Sequence, residues 1–95
     1  MLNPARRSGE IQNKGSRSAL REAGIDVLDI SPAFDVTHEK SMVVDDKTAR
    51  IESLNWEPEN FEKARDYAVV TTQPAEVAEI IKCFEADWSR KPFAP

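Results

Sequence analysis

His38-Glu39-Lys40-Ser41-Met42-Val43-Val44-Asp45-Asp46-Lys47-Thr48-Ala49-Arg50-Ile51-Glu52-Ser53-Leu54-Asn55 is the stretch on which the fold turns. Residues 40–44 are β-rich and their apolar members are consecutive, as in a strand covered on both faces, which predicts a central strand. Asp45-Asp46-Lys47 is a polar turn and residues 48–54 resume as β, so the two runs read as an antiparallel hairpin. Downstream, residues 55–65 are charged and irregular, with Pro58 permitting a helical turn, and Tyr67-Ala68-Val69-Val70-Thr71-Thr72 reads as a further strand. Gln73-Pro74 then opens a helix on which Val77, Ile80, Ile81, Phe84 and Trp88 share one face, predicted to cover the sheet, with Pro92 and Pro95 beyond its end. Upstream, Ile25-Asp26-Val27-Leu28-Asp29-Ile30 alternates as a strand does and is broken by Ser31-Pro32. Before it, Ser16 or Ser18 caps a short helix through Ala23, with Gly24 placed to end it. Residues 1–15 form a polar, basic arm carrying Arg6, Arg7 and Lys14, with Gly9 and Gly15. The order helix, four strands, helix predicts an α/β fold, a mixed β-sheet with helices packed on it.

At 95 residues the chain is one small domain, which excludes a two-domain enzyme. Hydrophobic residues at 40% and charged residues at 32% exclude both a disordered chain and a membrane bundle. A formal charge of -4 disfavours nucleic acid as the partner, because each neutralised phosphate needs a Lys or Arg. Cys83 stands alone, so no internal disulfide and no zinc finger is available. No apolar run reaches the roughly 18–20 residues of a membrane span, and the first fifteen residues lack the apolar core of a signal peptide. A soluble chain, cytoplasmic or membrane-peripheral, is the expectation.

The single histidine carries the chemistry. His38, Lys40 and Asp45 form His-x-Lys-x-x-x-x-Asp, and side chains two apart on an extended segment project from one face. An imidazole and an ammonium at 38 and 40 therefore converge on one anion, for which phosphate is the natural candidate. Ser53 and Asn55 repeat the spacing on the paired strand and offer donors to phosphoryl oxygens. Taken singly, His38 reads as a surface histidine, Lys40 with Asp45 as an exposed ion pair, and Ser53 and Asn55 as strand-end polar residues. Their register argues for a site. His38, Glu39, Asp45 and Asp46 show no metal-ligand spacing, so no metal is expected. The aromatic residues Trp56, Phe61, Phe84 and Trp88, and Cys83 beside them, are explained by packing.

These residues, His38 to Asp45 followed by Ser53-Leu54-Asn55, resemble the catalytic signature of the phospholipase D superfamily, and the likeness extends from about residue 19 to residue 88. The resemblance implies a phosphodiesterase or phosphatidyltransferase, cardiolipin synthase-like or phospholipase D-like, acting on phospholipid phosphodiesters through a phosphohistidine without metal or other cofactor. It implies that His38 is the nucleophile, that Lys40, Ser53 and Asn55 hold the phosphate, and that Asp66, eleven positions after the signature Asn, orients the imidazole. Asp45 completes the signature, tying the turn or Lys40.

Two departures qualify the likeness. Glu52 stands where the family has Gly, and a carboxylate there repels phosphate unless it turns outward or pairs with Arg50 or Lys47. The family also uses two signatures, one histidine attacking and the other protonating the leaving oxygen, whereas this chain holds one. The expectation is therefore a basic arm over residues 1–15 and, over 16–95, a partial catalytic domain, an incomplete repeat that pairs with a second copy or a complementing half. A nuclease of the same superfamily acting on DNA, and a non-catalytic remnant that pairs with another chain, are the competing functions.

Overall fold

The computed structural model describes residues 1–5 and 11–94. Arg6, Arg7 and Gly9 of the predicted arm, and Pro95, lie outside the described residues. The elements run α1 (Lys14–Glu22), β1 (Ser41–Val44), β2 (Thr48–Glu52), α2 (Pro58–Glu62), β3 (Ala68–Thr71) and α3 (Pro74–Trp88). They divide into two compact units, Met1–Thr37 with Ala86–Pro92, and a second beginning at His38 and running to Glu85.

In the first unit, α1 starts at Lys14 with Asn13, in the left-handed region, at the cap position, three residues ahead of Ser16 and five ahead of Ser18. Its end follows the sequence. Gly24 takes φ 79°, its N–H reaches Arg21 O, and the Ile25 N–H reaches Leu20 O, the two reversed bonds of a Schellman motif. Residues 25–30 do not form a strand of the sheet. They pair once, in parallel, through Leu2 opposite Asp29, with Leu2 N–H bound to Leu28 O and Ile30 N–H to Leu2 O. A single opposing residue supplies too few ladder bonds to make a strand. Arg17 holds the segment by pairing with the Asp29 carboxylate.

The second unit contains the sheet, in the order β1-β2-β3. Both pairings are antiparallel, Ser41 opposite Ile51 in one and Ile51 opposite Val69 in the other. The α/β class is as expected; the expected mixed sheet has, among the described residues, three strands with both pairings antiparallel, and the predicted strand at residues 25–30 does not join it. The hairpin turns on Asp45 and Asp46, both at φ 54°, with Lys47 N–H bound to Val44 O. Two successive positive φ values are the signature of the type I′ turn, whose twist matches that of the strands, and Asp tolerates this conformation better than most residues.

β1 lies at an edge and β2 at the centre, the reverse of what the apolar run over residues 42–44 suggests. Met42 and Val44 are about half exposed, and Val69 on β3 is 66% exposed. Among the described residues the buried apolar ones are Ala49, Leu54 and Val77, the last in the first turn of α3. Along the stripe of α3, Ile80, Ile81 and Trp88 are partly covered and Phe84 is exposed. Pro58 opens α2 as expected, and Trp56 lies 5.8 Å from Phe61, ring centre to ring centre.

Candidate active site

The extended geometry of β1 continues back to His38. Lys40 Nζ lies 2.9 Å from His38 Nδ1 and donates to the His38 carbonyl at 2.7 Å, while Ser41 Oγ donates to Glu39 Oε1 at 2.6 Å. Contacts at i and i+2 on both sides of the chain are what a period of two produces, and they put imidazole and ammonium on one face. His38 is exposed and Lys40 half-buried. An ammonium has no lone pair, so Nδ1 must accept, and the ring proton of the neutral imidazole then resides on Nε2. In that tautomer neither ring nitrogen offers a free lone pair while Lys40 remains there.

The remaining expected site residues make contacts of their own. Asp45 is at the hairpin tip, five residues and about 17 Å along the strand from Lys40. Ser53 clamps the end of β2 to the start of β3: its Oγ donates to Asp66 Oδ1 at 2.9 Å and accepts from Tyr67 N–H at 3.0 Å, and its own N–H reaches Tyr67 O. Asp66 is thus bound to Ser53, and the ring nitrogen it was expected to orient is bound to Lys40. Asn55 is exposed beyond β2, its carbonyl accepting from Glu57 N–H at 2.8 Å. Between Ser53 and Asn55, Leu54 is buried and anchors the loop.

Glu52 is the group whose setting the spacing alone left open. It neither turns outward nor reaches Lys47. Its side chain is fully covered, and Oε2 accepts from Arg50 Nε at 2.8 Å, the two being i and i+2 on one face of β2. Its backbone N–H donates to Lys40 O at 2.9 Å, so Glu52 lies directly across from Lys40.

The family model for the cardiolipin synthase, PLD-like domain matches residues 2–88, nearly the whole chain. The chain belongs to this phospholipase D-like family. The PLD-like domain places it in a superfamily of phosphodiesterases and phosphatidyltransferases, whose domains often work in pairs. Among curated proteins none matches the chain. No described helix of this PLD-like domain is long and apolar enough to cross a membrane.

Proposed function

We propose that this PLD-like chain is one half of a phosphodiesterase or phosphatidyltransferase site for phospholipid phosphodiesters, completed by a second copy or a complementing half. The observation that supports it best is the exposed His38 with the Lys40 ammonium 2.9 Å from its ring. An anionic diester draws Lys40 off Nδ1 onto its non-bridging oxygens, where the charge assists attack on phosphorus. The freed Nδ1 takes the ring proton, oriented by the Asp66 carboxylate, and Nε2 becomes the nucleophile. The Nε2–P bond forms as the bond from phosphorus to the leaving alcohol oxygen breaks, and that oxygen takes a proton from the partner's His38, which enters the step as the imidazolium and leaves it neutral. Water or an acceptor alcohol then attacks the phosphohistidine, returning its proton to the partner's His38 and breaking the N–P bond. Asn55 and Ser53 act as donors to the phosphoryl oxygens, Ser53 after releasing Asp66. Asp45 contributes through the hairpin.

The test is release of head groups from phosphatidylglycerol or phosphatidylcholine vesicles, followed by phosphorus NMR, for the wild type and His38→Ala. Release that disappears in the variant is expected. Turnover that survives the change would sink the reading, and nicking of plasmid DNA without head-group release would favour the nuclease.

A further inference from the structure

One buried group has no part in that chemistry. Glu52 has a side chain with no exposed surface, gives one carboxylate oxygen to Arg50, and leaves Oε1 buried without a hydrogen-bond partner among the described residues. The cross-strand pairing with Lys40 sets their Cα atoms about 5.5 Å apart with both side chains on one face. Arg50 lies opposite Met42, two residues and about 7 Å further along the strand. By position on the strands, Glu52 and not Arg50 is therefore the member of the pair directly across from Lys40. Salt screens a covered carboxylate far less than a surface one, so its field acts on any anion that Lys40 holds.

We propose that Glu52 acts as a charge filter, making the Lys40–His38 site selective for monoanionic phosphodiesters over dianionic phosphate monoesters. This rests on the phosphodiester reading above and adds a specificity-determining residue to it. Coulomb repulsion is proportional to ligand charge, so the factor by which Glu52 weakens a monoanion is about squared for a dianion. A diester carries one negative charge, whereas a monoester, with a second pKa of about 6, carries close to two at pH 8, and inorganic phosphate, whose second pKa lies about a unit higher, is still mostly dianionic there. Lys40 alone prefers the dianion. A carboxylate across from it lowers that preference, which favours entry of the diester and release of a monoester product.

The experiment follows the His38 ring signals by NMR while wild type, Glu52→Gln and Glu52→Gly are titrated with dimethyl phosphate and with inorganic phosphate at pH 8 and constant ionic strength. Glu52→Gln is expected to tighten dimethyl phosphate about fivefold and inorganic phosphate about twenty-five-fold. Glu52→Gly is expected to shift selectivity in the same direction, and it serves as the readout if the glutamine variant loses its circular dichroism signature. Equal tightening of both ligands, or none, overturns the filter. A parallel Lys40→Ala titration separates the two levels. Binding lost in Lys40→Ala but shifted equally by Glu52→Gln refutes the filter alone, whereas binding unchanged in Lys40→Ala refutes the phosphodiester site and the filter with it.

Discussion

Lys40 donates to both the ring and the carbonyl of His38, so one side chain sets the tautomer of the imidazole. Lys40→Ala removes the donor at Nδ1, and long-range nitrogen–proton spectra of the imidazole should change from an Nε2–H ring toward a mixture of tautomers. Turnover in the same variant should fall about 10²–10³-fold, the usual loss on deleting one donor to a developing charge. Ring signals identical to wild type would show that Lys40 does not hold the imidazole in solution. The juxtaposition of residues 38 and 40 was legible in the sequence because a period of two needs no information beyond an extended backbone. The binding of Asp66 by Ser53 was not, because it depends on Ser53 facing Tyr67 across fourteen residues of chain.

At the scale of elements, the hairpin and the end of α1 rest on backbone conformations that few side chains accept. Asp45→Val puts a β-branched residue at φ 54° and should cost about 1–3 kcal/mol, read as a lower urea midpoint. Asp46→Gly relieves the neighbouring position and should raise that midpoint. Gly24→Ala should cost about 1 kcal/mol, and the cost lies in the backbone alone, since a Cβ there meets nothing within 4 Å. A Gly24→Ala protein as stable as wild type would remove the Schellman end from the account. Turn, hairpin, α2 and α3 were readable from local chemistry: paired Asp residues, prolines at helix starts, and an apolar stripe at helical spacing. The consecutive apolar residues 42–44 misled on position, because hydrophobicity reports what a strand needs to cover and not which neighbours it has. Residues 25–30 alternate as a strand should, yet without a partner longer than Leu2 the ladder is not built.

For the molecule as a whole, a small buried set of Ala49, Leu54 and Val77 sits in a chain that leaves Met42, Val44, Ile51, Val69 and Val70 substantially exposed, together with one histidine where the family uses two. If two copies share a reaction, a tenfold excess of His38→Ala protein mixed with wild type should suppress turnover several-fold, since most wild-type chains would then face a partner lacking its imidazole. Turnover unaffected by that excess would exclude the shared site. The hairpin, α2, α3 and the His38–Lys40 pair were determined by the sequence itself, because propensity, turn chemistry and side-chain period act over a few residues. Strand order, the burial of Glu52 against Arg50 and the partner of Asp66 were decided only in the tertiary structure, since each depends on the register of segments that the chain keeps far apart and packing brings together.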